Sequence, residues 1–313
     1  MTNWNFADVY EANAAAVADR PCQIQGDRVV TWGELDRRAD ALAADMVAAG
    51  LGHQAKVACY LYNCPEYLEA VVAAFKGSFV PVNTNFRYGP EEIHYLFDNA
   101  DAEAVVFHAT FAELVDGIRD RLPGVRRWYV VADEAGPGPD WAMPYEDVVT
   151  SGATLSERPA RSGDDLLFLY TGGTTGMPKG VMWRQDDLFN VIGAAGNALQ
   201  GIPPATSVAE VAERAAANPN PPRTIVCCPL MHGTGQFSAI SAMAVGGAIV
   251  SLVNRRFDVE ELLGTIERLR ATSSATSFAG GTPRIALPPA PSTLNRSSWR
   301  HITPFGIPVV PPV

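Results

Sequence analysis

Between residues 57 and 131 short apolar runs alternate with helix-length segments, and this alternation constrains the fold more than any other feature of the chain. The runs at 57–61, 79–82, 104–107 and 128–131 lack the polar alternation of a half-exposed strand, and segments of helical length at 65–76, 90–99 and 111–121 separate them. Strands that are apolar on both faces and joined by helices belong to a largely parallel sheet covered on both sides. The expected fold class is therefore α/β, with βα layers around largely parallel sheets. At 313 residues and 47% apolar content the chain has enough material for a sizeable core.

Local signals mark the elements. "TWGELDRRADALAADMVAAG" reads as a helix with Thr31 and Glu34 as a capping box, Gly50 as a left-handed stop, and Leu35, Ala39, Leu42, Met46 and Ala49 on one apolar face. An acidic, Gly- and Pro-containing connection follows at 132–165, and then a buried strand at 166–170. Beyond it the pattern predicts a helix at 186–199, an excursion at 201–222, strands at 224–228 and 248–252, and helices at 235–244 and 259–269. From residue 271 to 313 there is no Asp, Glu or Lys, while eight prolines and eleven Ser or Thr accumulate. This tail is expected to be irregular or disordered, which leaves residues 1–270 as the folded part.

Charge and cysteine usage narrow the function classes. A net charge of −10 without a basic run argues against nucleic acid and anionic membrane surfaces as partners. The longest apolar stretch, 240–253, is too short to span a bilayer, and "MTNWNFADVY" is not a secretory signal. Five cysteines with no C-x-x-C spacing read as reduced thiols, so the expected compartment is the cytoplasm. The histidines lack metal-ligand spacing, and His53, His94 and His108 are expected to be structural. Oligomeric state is left open.

The chemistry concentrates in "LYTGGTTGMPKGVMW", residues 169–183. A strand ending in a Gly/Thr-rich turn presents backbone N–H groups and the hydroxyls of Thr171, Thr174 and Thr175 to one concavity, which is a cradle for oxyanions. Gly172, Gly173 and Gly176 allow close approach, and Lys179 adds a full positive charge in a chain that holds only two other lysines, Lys56 and Lys76. A polyphosphate suits such a site. It is not a P-loop, because Met177 and Pro178 separate Gly176 from Lys179 and Gly180 stands where a magnesium-binding hydroxyl belongs. A ligand-free turn is the competing reading.

The same stretch resembles the phosphate-binding signature of the adenylate-forming (AMP-binding) superfamily, which includes acyl-CoA synthetases, peptide-synthetase adenylation domains and luciferases. "VTWGELDRRADALA", "NCPEYLEAVVAAFKGSFVPVNTNFRYGPEEIHYLFDNADAEAVV" and "CCPLMHGTGQF" resemble further segments of that family in its order, over about residues 6 to 270. "GMPKGVMWRQDDLF" is most similar to actinobacterial synthetases for fatty acids or steroid side chains. The resemblance implies the family's large N-terminal domain and a two-step reaction. A carboxylate attacks the α-phosphate of Mg-ATP to give an acyl-adenylate and pyrophosphate, and the thiol of coenzyme A then displaces AMP. It implies phosphate-positioning roles for Thr171, Gly172, Gly173, Thr174, Thr175, Gly176 and Lys179. For His232 it implies a place near the acyl pocket, where contact with the substrate carboxylate and a purely structural role are both open. Gly233, Gly235 and Phe237 either shape an apolar acyl tunnel or simply belong to the core.

The family's Y-x-x-T-E and T-G-D motifs and its C-terminal domain with a catalytic lysine find no counterpart here. Lys179 is the last lysine and Glu267 the last acidic residue. The domain is thus expected to be incomplete and the chain inactive alone, with the reading frame shifted near residue 271. A non-catalytic nucleotide-binding protein and an interaction remnant are the alternatives.

Overall fold

A computed structural model describes residues 3–171, 177–197, 201–275 and 284–286. In chain order the elements are α1 (Phe6–Ala16), β1 (Pro21–Gln25), β2 (Arg28–Thr31), α2 (Trp32–Ala48), β3 (Lys56–Tyr60), α3 (Pro65–Lys76), β4 (Val80–Asn83), α4 (Pro90–Asn99), β5 (Ala102–His108), α5 (Ala112–Arg119), β6 (Arg127–Val131), β7 (Met143–Pro144) and α6 (Tyr145–Val149). They continue with β8 (Leu166–Thr171), β9 (Lys179–Arg184), α7 (Gln185–Val191), α8 (Val208–Ala217), β10 (Arg223–Val226), α9 (Gly233–Ala244), β11 (Ala248–Ser251), α10 (Val259–Leu269), β12 (Ser273–Ala275) and β13 (Arg284–Ala286).

The strands form two sheets. One has the order β7-β6-β5-β3-β4-β8-β9 and is parallel except for β9, which pairs antiparallel with β8. The other has the order β13-β12-β10-β11-β1-β2, with a parallel centre and an antiparallel pair at each end. Helices α1, α2, α3 and α9 lie between the sheets. Every residue of α3 is buried, because it packs on β3 and β4 of one sheet and on β1 of the other. On the far face of the seven-stranded sheet, Ile93, Leu96 and Phe97 of α4 and Val115 and Ile118 of α5 close a second apolar cluster. Leu262, Ile266 and Leu269 of α10 cover the outer face of the six-stranded sheet. This is the α/β class with largely parallel sheets that the alternating runs predict.

Of the end signals of α2, the N-cap and the stop act as read, with Thr31 Oγ1 accepting the Glu34 N–H at 3.2 Å and Gly50 at φ +86°; the structure gives this one half of the expected capping box. Three expectations need correction. The chain between residue 177 and the next helix forms strand β9, and that helix, α7, ends at Val191 rather than 199. The excursion at 201–222 contains a helix that was not expected, α8, capped by Ser207, whose hydroxyl accepts the Glu210 N–H. Finally, β12 and β13 fall in the stretch beyond residue 271 that was expected to be irregular, and β12 extends the six-stranded sheet beside β10. The rest of that tail lies outside the described residues.

The three histidines expected to be structural are tied to nearby polar groups. His53 Nε2 meets Asp165 Oδ1 at 3.0 Å, and His94 Nδ1 meets Arg121 Nη2 at 3.2 Å. His108, at the end of β5, is 6% exposed, and its Nδ1 accepts the Tyr62 N–H at 3.2 Å. Burial holds its pKa down at about 4, below the ordinary 6.5. Neutral His108 therefore contributes fully above pH 6.5, and the contribution is lost as pH falls from 6.5 towards 4, where the unfolded chain binds the proton first. The whole interval corresponds to about 3 kcal/mol. His108→Asn keeps an acceptor but does not titrate. Urea unfolding at pH 7.5 and pH 4.5 should show wild type losing about 2–3 kcal/mol more than the variant over that range.

Candidate active site

The candidate site is built at the C-terminal ends of parallel strands, where βα folds gather their functional loops. In the β8–β9 hairpin Leu167 stands opposite Trp183, Leu169 opposite Val181, and Thr171 opposite Lys179. Strand alternation puts these six on one face. That face looks onto α9: a methyl added to Gly233 would stand 2.8 Å from Leu169 Cδ2, and the rings of Trp183 and Phe237 meet edge-on at 5.6 Å. Thr171 and Lys179 thus close the open end of a strip whose apolar part runs along α9. Both are exposed, and among the described residues no carboxylate lies within ion-pair reach of Lys179. On the opposite face the ring of Tyr170 covers Gly180, where a side chain would meet it at 3.0 Å.

A second loop meets this strip from the other sheet. The segment 227–232 leaves β10 and is gripped by two asparagines at the ends of β3 and β4. Asn63 donates to the carbonyls of Val226 (3.3 Å) and Cys228 (3.1 Å) and accepts the Leu230 N–H at 2.7 Å. Asn83, 2% exposed, donates to the carbonyls of Tyr170 (2.9 Å) and Met231 and accepts the Tyr170 N–H. His232 follows as the N-cap residue of α9, with no capping bond from its side chain. Its ring is exposed at the rim, and its pKa is lowered by partial desolvation and by the charge of Arg87 on the β4–α4 loop. A methyl at Gly233 would touch Leu169, two residues along β8 from Thr171, so the start of α9, with His232 as its N-cap, lies against the strip that Thr171 and Lys179 end.

Of the residues expected to bind phosphate, Thr171 and Lys179 are paired across the hairpin, and Gly172, Gly173, Thr174, Thr175 and Gly176 lie outside the described residues. The loop spans a hairpin rather than a strand-to-helix turn. Gly233 and Phe237 flank the apolar strip. Gly235 is packed differently: a methyl there would stand 2.4 Å from the Pro229 carbonyl oxygen. Among the described residues no three His, Cys, Asp or Glu side chains converge on a metal position. Residues 10–285 match the family described as AMP-binding enzyme.

The chain belongs to the AMP-binding enzyme family.

As a member of this family it is 38% identical over 282 residues to the medium-chain acyl-CoA ligase Mig of Mycobacterium avium, covering 85% of this chain and 51% of that protein. It is 32% identical over 250 residues to the 3-oxocholest-4-en-26-oate–CoA ligase of Rhodococcus rhodochrous, covering 79% and 44%. A long-chain-fatty-acid-CoA ligase from Archaeoglobus fulgidus shares the fold at a TM-score of 0.69 and 21% identity, over 88% of this chain and 52% of that one. The chain spans about half the length of the curated relatives it matches. For this AMP-binding chain, sequence reasoning named both ends of the strip but missed Asn63, Asn83 and Trp183. The one available signal for Asn83 was a polar side chain closing the otherwise apolar run "FVPVN".

Proposed function

We propose that this chain provides the ATP- and acid-binding part of an acyl-CoA ligase that activates a medium- or long-chain fatty acid or a steroid side-chain acid. The observation that carries this reading is the Thr171–Lys179 pair, set opposite each other at the end of an apolar strip that packs on the N-terminus of α9 at Gly233, next to His232. The ammonium and hydroxyl receive the nucleotide's phosphates, and the acyl chain lies along Leu169, Val181, Trp183 and Phe237. His232 orients the carboxylate. One carboxylate oxygen bonds to the α-phosphorus while the bond to pyrophosphate breaks, leaving an acyl-adenylate from which the thiol of coenzyme A displaces AMP. Magnesium arrives on the phosphates of ATP. Five cysteines without a disulfide favour the reducing cytoplasm as the working compartment.

The relatives named for medium-chain acyl-CoA and cholestenoate–CoA ligation support the substrate class. The chain spans about half their length, and binding of Mg-ATP and the acid is the part proposed for these residues. The test is calorimetry with Mg-ATP on the purified chain. Wild type should bind, and Lys179→Ala should weaken binding about 10- to 100-fold, the range of one charge-assisted hydrogen bond. Equal affinities for the two proteins would remove the assignment.

A further inference from the structure

Asn83 connects the two halves of the candidate site. Ladder pairing between β4 and β8 is confined to Val82 and Phe168. Beyond it, the Asn83 side chain acts as an extra rung, because its Oδ1 accepts the Tyr170 N–H and its Nδ2 donates to the Tyr170 carbonyl at 2.9 Å. The second N–H of the same amide goes to the carbonyl of Met231. One planar, buried group thereby fixes the residue before Thr171 and the residue before His232, although one lies in β8 and the other on the loop after β10 of the other sheet. Only a short carboxamide offers two donors and an acceptor at this reach; alanine offers none and aspartate loses both donors.

We propose that Asn83 is a positioning residue for the adenylation reaction, holding the phosphate-side strand end and the His232 segment in one fixed relation; the proposal rests on the ATP-and-acid reading given above. A displacement of either segment is passed to the other through the amide, so the two ligand positions keep their separation.

The test uses the full 313-residue chain. Asn83→Ala should weaken Mg-ATP binding at least tenfold in calorimetry, and should speed amide exchange both at Tyr170 and at His232. The control is Asn13→Ala. Asn13 is equally buried and donates to the carbonyls of Met243 and Ala244 at the far end of α9, so its removal costs comparable structure away from the site. Asn13→Ala should keep Mg-ATP affinity within twofold. If Asn83→Ala stays within twofold, or Asn13→Ala loses as much, the positioning role is overturned. Should Asn83→Ala fail to fold, native-state exchange on wild type decides: the Tyr170 and His232 amides should open with one shared free energy, and two clearly separate values overturn the proposal. A wild-type chain that binds no Mg-ATP overturns the adenylation reading itself, a result distinct from a binding chain that is indifferent to Asn83.

Discussion

Arg38→Ala should destabilise the chain by about 3–5 kcal/mol, the cost of leaving one partner of a buried ion pair uncompensated. Arg38 is 6% exposed on α2, and its Nε donates to Glu69 Oε1 at 3.0 Å. Its two terminal nitrogens bind both oxygens of Glu146, at 2.8 and 2.9 Å. Glu69 is fully buried on α3, with the Tyr145 hydroxyl donating to its other oxygen at 3.0 Å. Burial pushes the Glu69 carboxyl above its ordinary value even with Arg38 beside it. Without Arg38 the remaining cation is Arg28, 3.9 Å away, which is itself engaged with Glu66. A carboxyl whose folded-state pKa is raised takes up a proton on folding, so stability falls as pH rises through the window between 4.5 and that raised value. The deficit of Arg38→Ala should accordingly be full above the window and shrink as pH falls into it. Urea unfolding at pH 7.5 and pH 5 measures this, and a loss equal at both would show that Glu69 stays charged in the variant. Arg38→Met combined with Glu69→Met should recover most of the loss, since a pair of well-packed apolar side chains replaces a buried ion pair at little cost.

This network shows which part of the architecture the sequence could reveal. Helix α3 was readable to the residue, from Pro65 at its first position to Gly77 beyond its end, because both ends carry local signals. Its burial on all sides was not readable, since Glu66, Glu69 and Lys76 look like a solvated face until Arg28, Arg38, Asp36 and Asp40 are brought to them from α2 and β2. Strand β9 was missed for a related reason. Gly180 breaks its pattern, and it is an edge strand whose residues are exposed or half-buried, so the apolar run that marks a buried strand is absent. Of the tail strands, β12 depends on pairing with β10 and β13 on pairing with β12, and a composition reading sees neither partner.

The site divides along the same line. Thr171 and Lys179 declare themselves through charge and hydroxyls within one loop. Asn83 finds its partners 87 and 148 residues away, and Asn63 at 163 to 167, so nothing local marks either of them. The residues proposed to bind are local in the sequence, and those that hold them in register come from the topology.

Gly235→Ala should damage the fold and the His232 segment together. A methyl at this position would stand 2.4 Å from the Pro229 carbonyl oxygen, 2.9 Å from its carbon and 3.0 Å from the Cys228 carbonyl oxygen. All three are backbone atoms, so no side chain can rotate aside. The turn that carries them is not free to retreat either, because Asn63 holds the Cys228 carbonyl and the Leu230 N–H. Either α9 shifts off the turn or the Asn63 bonds break. Overpacking of this kind costs about 1–3 kcal/mol, and the loss of buried hydrogen bonds adds roughly 1 kcal/mol each, so a total of about 3 kcal/mol is expected in urea unfolding. Whichever way the strain is relieved, the helix start moves and the ring of His232 is released from its partly desolvated rim. Its lowered pKa should then rise towards the ordinary histidine value when the imidazole is titrated by NMR. Gly264→Ala provides the contrast: a methyl in the middle of α10 meets nothing within 4 Å, and alanine should there stabilise the helix by about 0.5–1 kcal/mol. If Gly235→Ala unfolds like wild type and leaves the His232 titration unchanged, α9 does not rest on the 228–229 turn, and the imidazole is held by contacts other than that turn.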